Sequence, residues 1–228
     1  MVQPTLAIES SLWQKGYEYI VGIDEVGRGS WAGPLVAAGV ILPRDFVIPE
    51  GLADSKQVKP LGRTQLAKFI RSKAVSFYIA QIPSQRIDKC GIAKATADAF
   101  RQIAIKLVPT PEFCLVDAFH IKYYSAKKQM AVKNGDKICA SIAAASIVAK
   151  VWRDNLMKKL HFQYPQYGFG KHKGYGTKLH QEAIKKYGFS KIHRTSYKLD
   201  FLFSEQRKSL SWSPSGRTFR VNSAIGSR

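Results

Sequence analysis

Four acidic residues stand out by their surroundings. Asp24 and Glu25 lie side by side in VGIDEVGRGS, Asp117 closes the run FCLVD, and Asp136 follows Gly135. Each follows an apolar or strand-like stretch and precedes a Gly-rich, small or helical one, so the four can converge at one end of a sheet. Four clustered carboxylates in a partly buried place cannot all stay ionised without a cation, because mutual repulsion and desolvation raise their pKa values. A divalent metal is the simplest compensation. All-oxygen ligands favour Mg²⁺ or Mn²⁺, and two such ions about 4 Å apart activate a water and stabilise the leaving oxygen in phosphodiester cleavage. The plainer reading stays open for each residue taken singly. An Asp at a strand end commonly caps or turns the chain; Asp136, before a long helical stretch, suits a place near a helix N-terminus; Asp24 and Glu25 can pair with basic neighbours.

The elements that must carry these residues can be read from periodicity. Tyr17 to Ile23, Leu35 to Leu42 and Val75 to Ile82 read as strands, as do Phe113 to Val116, which ends on Asp117, and the short Met130 to Lys133. Helical spacing marks Lys59 to Ala74 and Gly91 to Leu107, the latter stopped by Pro109 and Pro111. The longest helical signal runs from about Ile138 to Leu160. Its first half, ICASIAAASIVAK, is small and apolar almost all round, so it must be buried against a sheet. YPQYGFGKHKGYGT, from Tyr164 to Thr177, reads as a functional loop before a last helix ending at Tyr187. Neighbouring strand residues point to opposite faces, so Asp24 and Glu25 share a site only if the chain turns there; Gly27 and Gly29 allow that turn. The order of elements implies an α/β fold with a mixed sheet.

Composition bounds the partners. The 228 residues carry 36 Lys and Arg against 16 acids, a formal net charge of +20, which points to a polyanion and, above all, to nucleic acid. No apolar run approaches the roughly 18 residues of a membrane span, and the opening MVQPTLAIESSLWQKGYEY lacks a secretory pattern. The expectation is a soluble cytoplasmic protein. Cys90, Cys114 and Cys139 fit neither a disulfide framework nor a zinc site and read as reduced and structural. Gly168 and Gly170 lack both a Walker lysine and dinucleotide spacing, which excludes a nucleotide cofactor. His172 and His193 read as surface or hydrogen-bonding residues.

Taken together, GIDEVGRGSWAGPLVAAGVIL, DSK at Asp54 to Lys56, VDAF at Val116 to Phe119, GD at Gly135 and Asp136, SIAAASIVAKVWRD, HKGYGT at His172 to Thr177 and HRTSY at His193 to Tyr197 resemble the ribonuclease HII family, the type 2 ribonucleases H. VDAF stands where VDG is frequent in bacterial members, and Phe119 to Val132 is unusually basic and aromatic. The resemblance implies a ribonuclease H-like fold, a mixed central β-sheet flanked by helices with a C-terminal helical region. It implies a catalytic domain over residues 17–205, an N-terminal extension over 1–16 and a tail over 206–228. The implied activity is cleavage of the RNA strand of RNA·DNA hybrids and cleavage 5′ to ribonucleotides embedded in duplex DNA, leaving 3′-hydroxyl and 5′-phosphate ends. A non-catalytic hybrid-binding protein on the same fold is the alternative, and a DNA-junction nuclease a third.

Carried over position by position, Asp24, Glu25, Asp117 and Asp136 are the metal ligands and catalytic residues, for two divalent ions, Mg²⁺ or Mn²⁺. Gly27, Arg28 and Gly29 read the ribose 2′-hydroxyl, and Tyr175 stacks on the deoxyribose beyond the junction. Lys56, Lys173 and Arg194 contact phosphates. The expected partners are the nucleic acids themselves, with no membrane and a monomeric enzyme. A replication clamp is recruited by a tail motif in some relatives, but no such motif is visible after Ser209. Only 23 residues precede Asp24, which leaves no room for the extra N-terminal domain of the type 3 enzymes.

Overall fold

The structure is a computed structural model and describes residues 3–52 and 58–203. Residues 1–197 form one compact unit; a second begins at Lys198, and its described part, residues 198–203, contains the 3₁₀ turn Asp200–Phe203. Lys56 and the tail after Ser209 lie outside the described residues.

Five strands make one mixed sheet. β1 (Ile20–Val26), β2 (Leu35–Ile41) and β3 (Ser76–Ile82) form an antiparallel meander, and β4 (Phe113–Asp117) and β5 (Gln129–Val132) add in parallel on the far side of β1. The spatial order is β3-β2-β1-β4-β5, so β1 is central. β2 is buried along its whole length, which is why its sequence, LVAAGVI, is apolar without alternation.

Helices cover both faces. α1 (Ala7–Gln14) precedes the sheet; α2 (Pro60–Lys73) joins β2 to β3, α3 (Ser84–Cys90) and α4 (Ile92–Lys106) fill the crossover from β3 to β4, and α5 (Ala140–Gln163) follows β5. Ile103 and Phe100 of α4 pack with Val21 and Ile23 on one face, while Ala144 and Ile147 of α5 pack with Val36 and Val40 on the other. The alanine-rich first half of α5 brings its backbone directly onto β1. At Gly22 a Cβ would stand 2.2 Å from the carbonyl carbon of Ser141, so only glycine admits the helix there. A short helix, α6 (Phe169–His172), and α7 (Lys178–Tyr187) complete the C-terminal region.

Most elements lie within a few residues of their sequence-based limits, with three departures. β1 runs on through Asp24 and Glu25 to Val26, because its pairing with β2 continues to Val26–Val36; the chain turns after the acidic pair, at Gly27, not at it. α1 and α3 have no counterpart among the expected elements. Helices of 8 and 7 residues are too short to be stable alone, and packing maintains them. The expected loop from Tyr164 to Thr177 contains the 3₁₀ turn Pro165–Tyr167 and α6.

Candidate active site

The parallel strands β1 and β4 end together, and their carboxyl ends open a cleft, the usual place for a ligand in a sheet of this kind. A cavity of about 380 Å³ lies there, lined by Asp24, Glu25, Asp117 and Asp136, and by Ser146, Lys150 and Tyr175. The structure thus brings all four expected carboxylates to one space. A larger hollow of about 440 Å³ between α2 and α5 is floored by Ile79, Val148 and Val151 and contains no carboxylate. Chemistry, not size, distinguishes the site.

Each carboxylate is placed by a different device. Asp24 points toward α5, is only 8% exposed, and accepts hydrogen bonds from the Glu25 backbone N–H at 2.7 Å and from the Ser146 hydroxyl. Glu25, whose neighbour in the strand is Asp24, also lines the cavity, beyond the last β1–β4 pair, Ile23–Val116. Asp117 accepts the Gly135 N–H at 2.7 Å, which ties the end of β4 to the turn carrying Asp136. Asp136 sits in the 3₁₀ turn Gly135–Lys137, and the N-cap of α5 is Cys139. Glu9 of α1 takes the capping role, accepting the Ser141 N–H at 2.9 Å and its hydroxyl at 2.7 Å. Asp136 thus lies just ahead of the α5 N-terminus, in the place its sequence position suggested, without being the N-cap residue.

The electrostatics are those of a site short of positive charge. Burial pushes the Asp24 carboxyl well above the usual carboxylate range, and Glu25 and Asp117 push it further, against the lowering effect of the Ser146 hydrogen bond. Arg28 stands 3.6 Å from Glu25, and Lys150 is turned to Asp154 at 2.9 Å. Among the described residues no group of three or more His, Cys, Asp and Glu is already gathered tightly enough to grip an ion. The donor set nonetheless fits Mg²⁺ or Mn²⁺: it is all oxygen, it is charge-starved, and Mg²⁺ keeps several waters and binds through one or two carboxylates rather than a closed cage.

Around the cavity three loops are laced together by two buried guanidiniums. Gly27, with φ +91°, begins the turn after β1, and Arg153 of α5 lies so close that a Cβ at Gly27 would meet its Nε at 2.2 Å. Arg153 donates to the carbonyls of Pro34 at 3.0 Å, Lys173 at 3.0 Å and Ala32 at 3.3 Å, and its guanidinium stands 5.6 Å from the Tyr175 ring centre. Arg194 donates to Gly33 O and, at 2.9 Å, to Arg28 O, so it supports the GRG turn from behind. The Gly174 carbonyl accepts the Trp31 N–H at 2.8 Å, which fastens the KGYGT loop to the same turn.

These contacts revise two expectations. Arg194 is completely buried with its donors on carbonyls and on the Tyr197 hydroxyl, so it positions the turn and does not present itself to a phosphate. The Lys173 ammonium donates to the carbonyl of Gly170, within its own loop. Arg28 lies against the Phe119 ring, 4.5 Å from its centre, at the edge of the cavity. His172 and His193, expected at the surface or in hydrogen bonds, are buried and hydrogen-bonded. Sequence reasoning missed Ser146 and Lys150. Their signal was the polar pair four residues apart, thus on one helix face, in an otherwise apolar stretch.

Comparison with known proteins agrees with this geometry. The family model described as Ribonuclease HII matches residues 21–200. The chain is 48% identical to the ribonuclease HII of Chloroherpeton thalassium over 200 residues, covering 86% of this chain and 98% of that one. It is 44% identical to that of Acetivibrio thermocellus over 194 residues, 85% of this chain and 75% of the relative. Among solved structures, the ribonuclease H2 from Pyrococcus horikoshii OT3 superposes with a TM-score of 0.68 at 25% identity, over 83% of this chain and 99% of that one. With a mixed five-stranded sheet, a carboxylate cleft at its parallel end and this degree of likeness, the chain belongs to the ribonuclease HII family, the type 2 ribonuclease H hydrolases.

Proposed function

We propose that the chain is a metal-dependent endonuclease that cuts the RNA strand of RNA·DNA hybrids and cuts 5′ to ribonucleotides embedded in duplex DNA, leaving 3′-hydroxyl and 5′-phosphate ends. The observation that carries this reading is the meeting of Asp24, Glu25, Asp117 and Asp136, drawn from three separate segments, in one cavity beside the GRG turn. Two divalent ions, Mg²⁺ or Mn²⁺, held by those four carboxylates would supply the charge compensation and water activation that phosphodiester hydrolysis needs.

The chain's own residues supply the rest. Ser146 and the Glu25 N–H orient Asp24, and the Gly135 N–H orients Asp117, so the ligands are held before an ion arrives. The Gly27–Gly29 backbone reads the ribose 2′-hydroxyl, the group that separates RNA from DNA. A Cβ built at Gly29 meets nothing within 4 Å, so the fold itself does not require glycine there; close approach of a sugar does. Tyr175 offers its ring to the deoxyribose on the 3′ side, where the missing oxygen leaves an apolar carbon. Arg28 belongs with this turn, 3.6 Å from Glu25, and Lys56 and the Lys-rich surface serve the phosphates.

In this reading the catalytic domain spans residues 17–205, with 1–16 an extension packed on it through Leu12, the Thr5–Cys139 pairing and Glu9, and the protein acts as a monomer in the cytoplasm. Cys114 and Cys139 are both buried, with thiols pushed up to about 12 by burial. Among the described residues no helix is long and apolar enough to cross a membrane.

The test is a duplex carrying one ribonucleotide, incubated with Mg²⁺, Mn²⁺ or EDTA beside a long hybrid and an all-DNA control. A cut 5′ to the ribonucleotide that needs metal is the expected result. Binding without cutting would make the protein a hybrid-binding module, and cutting of the all-DNA control would overturn the role of the GRG turn.

A further inference from the structure

Three of the chain's five histidines are gathered behind Tyr175, and the carboxylate cavity uses none of them. His172 and His180 stack with ring centres 4.5 Å apart, and His193 lies 5.2 Å from His180. All three are buried. Phe169 packs edge-on against His172 and His180, and Trp31, next to the GRG turn, lies against His180.

A neutral imidazole has one N–H donor and one bare nitrogen acceptor, and the neighbours decide which is which. His180 Nδ1 faces the Tyr175 carbonyl oxygen at 3.0 Å; a carbonyl only accepts, so His180 is protonated on Nδ1 and bare on Nε2. That bare Nε2 lies 3.0 Å from Nε2 of His193, which must therefore carry the proton between them. His193 Nδ1 is then an acceptor, and it receives the Ser190 backbone N–H at 2.8 Å and the Ser190 hydroxyl at 2.7 Å. His172 obeys the same logic, donating from Nε2 to Tyr167 O at 2.7 Å and accepting the Gly174 N–H on Nδ1 at 3.2 Å. Every ring nitrogen is matched. A further proton on any of the three rings would set two N–H groups face to face.

We propose that His172, His180 and His193 form a permanently neutral positioning network that clamps the chain on both sides of Tyr175 and so holds its ring at the cavity edge for the sugar beyond the cut. The clamp is direct: His172 holds the Gly174 N–H, His180 holds the Tyr175 carbonyl, and Ser190 and Tyr167 anchor the far ends. These are positioning residues, and the proposal rests on the role given to Tyr175 above.

The surroundings keep the network neutral. Burial lowers the His172 ring against the raising effect of the Tyr167 carbonyl, takes His180 to about 3 and takes His193 to about 4; the Lys173 ammonium facing His172 acts in the same direction as burial, His161 is the other titratable group facing it, and Arg153 lies beneath Tyr175. In the unfolded chain a histidine titrates near about 6.5. Below that pH the unfolded chain binds protons the folded one refuses, so this contribution to stability falls as pH drops from about 6.5 toward the folded values.

Long-range ¹H–¹⁵N correlation spectra of the full chain, labelled at histidine nitrogens, read the tautomers directly. The expected result is Nε2–H for His172, Nδ1–H for His180 and Nε2–H for His193, unchanged between pH 7 and pH 5. Protonation of any of the three at pH 5, or an Nε2–H form of His180, overturns the network. The kinetic arm compares cutting of single-ribonucleotide duplexes with a deoxy- or ribonucleotide on the 3′ side, with Tyr175→Ala as the benchmark. His180→Phe should lose about tenfold of the preference for the deoxynucleotide, as Tyr175→Ala does, whereas His193→Gln, whose amide N–H can replace the Nε2–H, should stay within about twofold of the parent. If Tyr175→Ala lowers the preference and a folded His180→Phe keeps it, the network inference falls. If Tyr175→Ala itself changes nothing, the reading of Tyr175 falls and with it the clamp's purpose, while the tautomers still judge the network's geometry.

Discussion

Asp24 illustrates how a site residue is held against its own preference. It lies almost fully buried beside Glu25 and Asp117, and its two hydrogen bonds, from the Glu25 N–H and Ser146, only partly offset the cost of its charge. Replacing it by Asn removes a repelled charge while keeping shape and one acceptor. Asp24→Asn is therefore expected to raise stability without metal, by about 0.5–2 kcal/mol as for other strained functional positions, while cutting of a single-ribonucleotide duplex falls below detection. Urea unfolding in EDTA measures the first and a gel assay the second; a metal-free variant less stable than the parent would contradict the charge-starved picture. Arg194 is the opposite case. A residue expected to contact a phosphate is in fact completely buried, with its donors on the backbone carbonyls of Gly33 and Arg28 in the turn.

Among the elements, α5 does the most positioning. It carries Ser146 and Lys150 into the cavity and Arg153 under the GRG turn, and it can do so only because its alanine-rich start lies directly on β1. The contact at Gly22 is with backbone, which cannot swing aside. Gly22→Ala should destabilise the fold by about 3 kcal/mol, at the upper end of overpacking costs, and should depress activity by moving Ser146 from Asp24. A change in urea midpoint corresponding to under about 0.5 kcal/mol would show that α5 has slack the structure does not show. α1 acts on the same helix from the other end, since the capping carboxylate of Glu9 comes from 132 residues away in sequence.

For the whole molecule, the net charge of +20 is expected to act on the encounter with a polyanion rather than on the chemistry. Hybrid binding should weaken steeply with salt, with log K against log salt having a slope of about −4 or steeper if five or more phosphates are neutralised. Titrations by fluorescence anisotropy between low and moderate salt, in EDTA to prevent cutting, measure it. A slope near zero would mean that the basic surface faces something other than the duplex.

Much of this architecture is legible in the order of the residues. The strands and the long buried helix follow from local periodicity, and the four carboxylates, left open by their strand-end positions alone, are singled out by the family motifs around them; both signals are properties of short stretches. α1 and α3 are illegible for the converse reason: short helices exist only where tertiary packing offsets their nucleation cost. The capping of α5 by Glu9, the burial of Arg153 and Arg194, and the proton order among the three histidines depend on residues far apart in the chain. Residue types and their spacing thus limit which groups can do the chemistry. Folding settles which of them face the cavity and which hold its walls, because a side chain's role is set by the partners brought within hydrogen-bonding distance.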